Sequence, residues 1–284
     1  MIPGVRTNME ELTLIRRHSL LVRITHWLNV PCLTILLMSG LQIFNAHPAL
    51  YWGEISDFDH PILALTNRLD RAGRPVGITK AFNREFDTTG FLDASKGPGD
   101  TITPRGFPSW LTLPSYQDLA TGRRWHFFFA WLFVLNGAIY LAYSTGGHLV
   151  RDLLPTAAEL KHIGRTAWDH VRLRFPRGDE ARSYNAIQKL AYLVVILVIL
   201  PLMVLSGLTM SPAIDAGFPQ LLTVFGGRQS ARTIHFLTAF ALILFVFVHV
   251  MMVVLSGAWN NMRSMITGRY AIPPRGESLE HSSL

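Results

Sequence analysis

Four long apolar runs constrain this chain more than any other feature of its sequence. They cover about residues 24–45, 125–145, 189–210 and 233–256. At 1.5 Å per residue, each run is long enough to cross a hydrocarbon core of about 30 Å. Only 16% of the 284 residues are charged, whereas soluble domains carry about 25%. The sequence therefore predicts an all-α integral membrane four-helix bundle, with a long outer loop between helices 1 and 2.

The distribution of basic residues predicts the topology. The N-terminal segment (1–23), the second connection (146–188) and the tail (257–284) are rich in Lys and Arg, whereas the short third connection carries only Arg228 and Arg232. The positive-inside rule places both termini and the 146–188 loop in the cytoplasm, so by alternation the 46–123 loop lies outside, which in a bacterium is the periplasm. The 24–256 domain would then sit in the lipid of the inner membrane. Because basic residues cluster beside the spans, the net charge of +7 indicates no nucleic-acid partner.

Four histidines lie within these runs or at their edges. His235 and His249 are fourteen residues apart in the last run, so an α-helix would present both on one face, about 21 Å apart along its axis. His126 begins the second run at the depth of His235, and His26 begins the first at the depth of His249. Ionisable side chains inside a membrane are usually functional. The sequence therefore predicts two histidine pairs, His26 with His249 and His126 with His235.

Each pair is a candidate site for a haem. Two imidazoles, with no carboxylate or thiolate beside them, are too few for zinc, which normally takes four ligands. A haem needs only two axial ligands, because its porphyrin supplies the other four nitrogens. Arg23, Arg123 and Arg232 each precede one of the histidines by three residues, one turn nearer the surface, where arginine pairs well with a propionate. The sequence thus predicts two b haems, with the four histidines as metal ligands.

The chain also contains a weak internal repeat. LLMSGLQ (36–42) resembles MVLSGLT (203–209), and RRWHFFFAW (123–131) resembles RTIHFLTAF (232–240). Duplication of a two-helix unit would explain both matches. Small Ser-Gly pairs also favour close packing of membrane helices, so these pairs alone predict no function.

Five stretches together resemble a known family: RITHW (23–27), RRWHFFFAW (123–131), SYNAIQKLAY (183–192), PLMVLSGL (201–208) and GRQSARTIHFLTAFALILFVFVHV (227–250). They are similar to the di-haem cytochrome b subunits of membrane oxidoreductases, namely the gamma subunit of formate dehydrogenase, the cytochrome b of nickel–iron hydrogenases and the thiosulfate reductase cytochrome b type. The resemblance implies the same histidine pairing. It also implies a quinone site near the inner haem, lined here by Asn185 and Gln188, with Ile187 replacing a family glycine. From the residues alone, Asn185 and Gln188 fit a water-facing helix cap equally well.

The resemblance implies an electron-transfer subunit, which is not a complete enzyme by itself. It would link the quinone pool to a periplasmic oxidoreductase partner, for which the family suggests a molybdopterin enzyme, with electrons flowing in either direction. One alternative is a stand-alone cytochrome b561-like quinol oxidase, against which the long outer loop argues. Another is a histidine-based transporter or proton channel, but the spans contain no internal Asp, Glu or Lys that would line a polar path.

Overall fold

The computed structural model describes residues 13–97, 99, 101–164, 168, 172 and 186–272, without the side chains of residues 148–152. Within them, four helices are long and apolar enough to cross a membrane. These are α1 (Leu20–Phe44), α2 (Leu119–Tyr143, followed by wider turns that the non-helical Gly146 and Gly147 interrupt), α4 (Ala186–Thr209) and, after the short helices α5 (Pro212–Gly217) and α6 (Gln220–Phe225), α7 (Arg228–Leu255). Each coincides with one predicted run, which confirms the prediction of a helical membrane protein. α4 contains a π-helical turn, Val195–Ile199, just before Pro201, whose ring nitrogen cannot donate a hydrogen bond.

The chain divides into two compact units. The first comprises residues 1–26, 140–195 and 244–284, and the second comprises residues 27–139 and 196–243. Each unit contains both members of one predicted histidine pair. His26 and His249 belong to the first unit, and His126 and His235 belong to the second.

The outer loop of the second unit contains β-structure, which the sequence analysis did not predict. Four antiparallel strands follow one another in the order β2 (Ala49–Leu50), β3 (Leu63–Leu69), β4 (Pro75–Ala81) and β5 (Arg84–Asp87), and β6 (Ala94–Lys96) pairs with β7 (Ile102–Pro104). The Asp70 carboxylate, which accepts hydrogen bonds from the Ala72 and Arg74 amides, stabilises the β3–β4 turn. The all-α description therefore fits the membrane helices, whereas the outer loop adds short strands between turn residues.

An apolar cluster joins this strand-containing loop, the outer domain (residues 46–123), to the ends of the helices. Its buried members are Leu41, Phe44, Leu50, Leu65 and Phe107, and Phe236 of α7 packs against it. The Asn45 side chain, directly after α1, accepts a hydrogen bond from the Phe107 amide (2.7 Å) and donates one to the Phe107 carbonyl (3.3 Å). Because α1, α7 and the loop share one dry cluster, the outer domain has a fixed attachment to the helices.

In the first unit, the two ends of the described chain pair with each other. β1 (Thr13–Arg16) runs antiparallel to β8 (Arg269–Ile272), which follows α8 (Ala258–Thr267). The Asn260 side chain of α8 bonds both the amide and the carbonyl of Ala271, at 2.9 and 2.8 Å. In the same unit, Lys189 of α4 forms a 2.8 Å ion pair with Glu159 of the short helix α3 (Ala157–Lys161). The strand pairing agrees with an even number of membrane crossings.

A buried carboxyl in the outer domain makes its stability depend on pH. Asp93 is 1% exposed, and its Oδ2 accepts hydrogen bonds from the hydroxyls of Thr79 (2.9 Å) and Thr88 (2.7 Å). Its Oδ1 is buried and has no partner among the described residues. Burial raises the pKa of Asp93 to about 6, although both hydrogen bonds oppose this rise. The folded protein therefore binds this proton more tightly than the unfolded chain does, and stability falls as pH rises from about 4 through 6.

We expect Asp93→Asn to stabilise the outer domain above pH 6. A raised pKa of this size corresponds to on the order of 3 kcal/mol, and the neutral amide removes that cost. Thermal unfolding of the purified full chain, measured from about pH 4 to 7, should show the gain growing with pH. Asp87→Asn is the control, because this exposed carboxylate has a lowered pKa caused chiefly by a hydrogen bond from the Thr89 hydroxyl. Equal effects of the two changes at neutral pH would contradict the prediction.

Candidate functional site

The structure brings His126 of α2 and His235 of α7 together in the second unit. Their ring centres are 6.3 Å apart. A metal–histidine bond is about 2.0–2.1 Å long, and the bonding nitrogen lies about 1.1 Å from the centre of its ring. Two imidazoles that share one metal ion therefore have ring centres about 6.2–6.4 Å apart. The observed separation fits a metal held between the two rings.

Hydrogen bonding fixes the tautomer of His235. Its Nδ1 lies 3.0 Å from the Met203 carbonyl and 3.2 Å from the Ser206 hydroxyl oxygen. A carbonyl can only accept, so Nδ1 carries the proton and donates it. The Ser206 hydroxyl uses its own hydrogen on the Leu202 carbonyl at 2.6 Å, which leaves its oxygen to accept. The lone pair of a neutral His235 is therefore on Nε2, the atom that would bind a metal.

His126 of α2 has the same arrangement, with its hydrogen-bond partner on α1. Its Nδ1 lies 3.1 Å from the Ser39 hydroxyl oxygen, and Leu36 contributes a backbone hydrogen bond. Ser39 donates its hydrogen to the Ile35 carbonyl at 2.6 Å, so its oxygen accepts from the imidazole. Nε2 of His126 is thus also the nitrogen with the lone pair.

The glycine after each serine faces the same histidine ring. A Cβ added to Gly40 would lie 3.4 Å from Cε1 of His126, and one added to Gly207 would lie 3.2 Å from Cε1 of His235. The internal repeat therefore has a structural role that the sequence analysis did not assign. In each Ser-Gly pair, the serine orients an imidazole on the partner helix, and the glycine leaves room for that imidazole.

His26 and His249 form the second pair, in the first unit. Their ring centres are also 6.3 Å apart, so they meet the same requirement for a shared metal. Phe245, one turn before His249 on α7, stacks on its ring at 5.9 Å with an interplanar angle of 19°. Tyr192 lies 6.5 Å from His249. Tyr192 is the last residue of the SYNAIQKLAY motif, and that motif was the sequence signal that could have marked it as a neighbour of His249.

A haem fits these donor sets better than a bare metal ion does. Nowhere in the described ranges do three or more His, Cys, Asp or Glu side chains form a group able to hold a metal. Two imidazoles that each offer one ring nitrogen suit an iron whose other four ligands come from a porphyrin. The predicted histidine pairing and the observed geometry therefore agree.

The three predicted arginines have different surroundings. Arg232 donates a hydrogen bond to the His47 carbonyl, and its guanidinium lies 5.4 Å from the centre of the Phe44 ring. Arg123 is exposed and lies 5.5 Å from the Phe127 ring centre. Arg23 donates to the Ile266 carbonyl of α8, while its buried Nε has no partner among the described atoms.

The predicted quinone residues are only partly within the described chain. Asn185 lies outside the described residues. Gln188 is half-buried in the first turn of α4, next to the buried Lys189. Quinone contact by Asn185 and Gln188 stays a prediction.

We expect Gly207→Val to displace the His235 ring. The Cβ alone would approach Cε1 to 3.2 Å, and the two further methyl groups of valine extend beyond it. Gly137→Val is the matched control, because a Cβ at Gly137 of α2 has no neighbour within 4 Å. The haem content of the purified chain should fall in the first variant and stay unchanged in the second. Equal haem content in both variants would show that the His235 ring does not need the space beside Gly207.

Comparisons with known proteins identify the family of this chain. A family profile described as prokaryotic cytochrome b561 matches residues 17–268. A putative protein-methionine-sulfoxide reductase subunit YedZ1 from Azospira oryzae is 29% identical over 235 residues, which cover 82% of this chain and 88% of that protein. No solved structure matches. Since the profile spans most of the chain, including all four histidines, this protein belongs to the prokaryotic cytochrome b561 family of haem b-binding membrane proteins.

Proposed function

We propose that this chain is a di-haem cytochrome b electron-transfer subunit. It links the membrane quinone pool to a periplasmic oxidoreductase subunit of the molybdopterin type. The observation that carries this proposal is the presence of two histidine pairs, each with a ring-centre separation of 6.3 Å. The family binds haem b, and each pair provides the two axial ligands that one haem requires.

The residues of each pair hold and orient the cofactor. When bound, each haem supplies a one-electron Fe(III)/Fe(II) couple. His126 and His235 direct Nε2 toward the metal position because Nδ1 is held by Ser39 and Ser206. Such hydrogen bonds from the non-ligating nitrogen fix the ring orientation and raise ligand basicity. The apolar residues of the spans exclude water from both sites.

The arginines one turn from the histidines neutralise the carboxylates of the cofactor. Arg23, Arg123 and Arg232 are assigned this role because a guanidinium binds a carboxylate through two parallel hydrogen bonds. The buried Nε of Arg23, which has no acceptor among the described residues, supports the assignment, since a buried donor without an acceptor is costly.

We assign the chain to the bacterial inner membrane, with both termini in the cytoplasm. The lysine and arginine distribution supports this orientation. The outer domain, residues 46–123, then faces the periplasm, on the side of His126 and His235. Quinone binds on the cytoplasmic side, where Asn185 and Gln188 of the YN-x-x-QK stretch contact it.

The name of the relative favours a reductase as the partner. That protein is described as a subunit of a protein-methionine-sulfoxide reductase, so electrons in this chain would flow outward from quinol. The segment 51–58 supplies a docking surface for such a partner. Gly53 bonds the amides of Gln229 and Ser230 through its carbonyl, at 3.0 and 3.2 Å, which fixes the segment on the first turn of α7. The same segment exposes Trp52, Ile55 and Phe58, as protein interfaces commonly do.

Haem counting tests the ligand assignment. We expect His249→Ala to remove one haem and leave the other, because His126 and His235 do not depend on it. His235→Ala should leave the haem of His26 and His249 instead. Optical spectra of the dithionite-reduced protein and pyridine haemochrome assays measure both the type and the number of haems. His60→Ala is the control, since His60 is an exposed outer-domain residue. A wild-type chain with no b-type band would refute the proposal, and loss of neither haem in His249→Ala would refute the pairing.

Co-purification tests the partner. We expect a tagged full-length chain, solubilised from its own membrane, to retain a periplasmic molybdopterin subunit that mass spectrometry and molybdenum analysis identify. Phe58→Ser should weaken this binding, because it removes an exposed aromatic anchor at the fixed 51–58 segment. Phe82→Ser, at the tip of the β4–β5 hairpin and 91% exposed, should not. A chain that purifies alone with two haems and oxidises quinol would instead favour the stand-alone quinol oxidase.

A further inference from the structure

The guanidinium of Arg232 lies in a half-buried position without a counter-charge. Its Nη2 donates to the His47 carbonyl, and the Phe44 ring covers one side of the group at 5.4 Å. Among the residues that the structure describes, no Asp or Glu oxygen lies within ion-pair distance of it. A cation removed from water needs an anion nearby. The surroundings of Arg232 therefore indicate a place for a negatively charged group.

Two further hydrogen-bonding side chains, those of His47 and Tyr51, interact electrostatically with this guanidinium. His47 follows the end of α1, and its Nε2 is buried with no partner in the described part of the chain. Tyr51 is only 2% exposed, and its ring centre is 5.7 Å from that of His47. Burial and then the charge of Arg232 lower the pKa of His47. Burial raises the pKa of Tyr51, while the charge of Arg232 opposes that rise. Both side chains thus lie within electrostatic reach of the same cation.

We propose that Arg232, His47 and Tyr51 together bind one propionate of the haem held by His126 and His235. A carboxylate has four lone-pair positions and can accept from the guanidinium, from Nε2–H of His47 and from the Tyr51 hydroxyl. Arg232 lies one helical turn before His235, so its side chain can reach the edge of a haem held by that histidine. The inference rests on the proposed function, because it needs a haem at this pair. His47 and Tyr51 are positioning residues to which the sequence analysis assigned no role.

The fold holds this cluster in place from two sides. The Thr233 hydroxyl donates to the Tyr51 carbonyl at 2.7 Å, which connects the 47–51 segment to the helix that carries Arg232 and His235. Tyr51 packs with Ala49 and Ala64 in a small buried cluster. Because α7 and this segment are joined directly beside Arg232, the three donors keep fixed relative positions.

The site makes the potential of this haem depend on pH. A protonated His47 adds a positive charge, which favours the reduced haem, so the potential falls as pH rises through the pKa of His47. Besides Arg232, Tyr51 and the propionate itself, the titratable groups in the stretch that follows this segment are Glu54, Asp57, Asp59 and His60. A hydrogen bond from His60 is the main cause that lowers the pKa of Asp57, so Asp57 stays ionised over the range in which imidazole titrates, about pH 5 to 8.

Redox titrations of the purified full-length holoprotein over this pH range test the proposal. We expect one of the two wild-type haems to have a pH-dependent potential. His47→Gln still donates to the carboxylate but cannot titrate, so it should abolish the slope. Tyr51→Phe should keep the slope and lower the potential at every pH, shifting the reduction equilibrium by about tenfold, or 59 mV for one electron. His60→Gln and Tyr116→Phe are the matched controls and should change neither quantity.

Several outcomes would overturn the proposal. Unchanged potential and slope in both His47→Gln and Tyr51→Phe, with full haem content, would show that no propionate lies there. If His47→Gln loses haem, then Tyr51→Phe, which removes a single oxygen, decides the result. A potential that shifts with added inorganic phosphate would assign the site to a small anion instead. A wild-type protein with fewer than two haems would refute the proposed function itself, which the haem assay reports separately from the potentials.

Discussion

The site formed by His126 and His235 depends on the hydrogen bond at Nδ1 of each imidazole. An imidazole in an apolar helix loses its hydration and must have a partner for each nitrogen. For His126 and His235, a serine hydroxyl on the neighbouring helix takes Nδ1–H, because that hydroxyl already donates its own hydrogen to the backbone. The remaining nitrogen can then only accept, which suits it to bind a metal. A single polar side chain on each partner helix thus determines both the tautomer and the direction of the lone pair.

The internal repeat acquires a physical explanation from this interaction. Each half of the repeat has one helix with a Ser-Gly pair and one helix with a histidine, and in both halves the pair on the first helix contacts the histidine on the second. The serine needs the glycine beside it, since a larger neighbour would occupy the volume of the ring. Duplication of a two-helix unit would preserve this contact as a whole. The match between LLMSGLQ and MVLSGLT therefore reflects the geometry of the cofactor site as well as close helix packing.

The outer domain extends the site beyond the membrane helices. Its apolar cluster includes residues from α1 and from the strands, and Phe236 of α7 packs against it. The 51–58 segment binds the first turn of α7 through Gly53, two turns before His235. A periplasmic partner that contacts this segment would therefore touch a rigid support of the proposed haem site. The same attachment brings His47 and Tyr51 to Arg232, which links the outer domain to the electrostatics of the cofactor.

The sequence by itself determined the membrane class, the four helices and the histidine pairing. Apolar run length and helical periodicity are local properties, and the depth of each histidine along its span follows from them. The serines, the glycines and Tyr192 were visible only as parts of motifs, because their roles depend on which helix faces which. The strands of the outer loop were missed, since short strands between turns carry a weak signal. His47 looked like an ordinary loop histidine. Only the tertiary structure brings the His47 carbonyl to the Arg232 guanidinium, because that contact joins residues 185 positions apart in the chain.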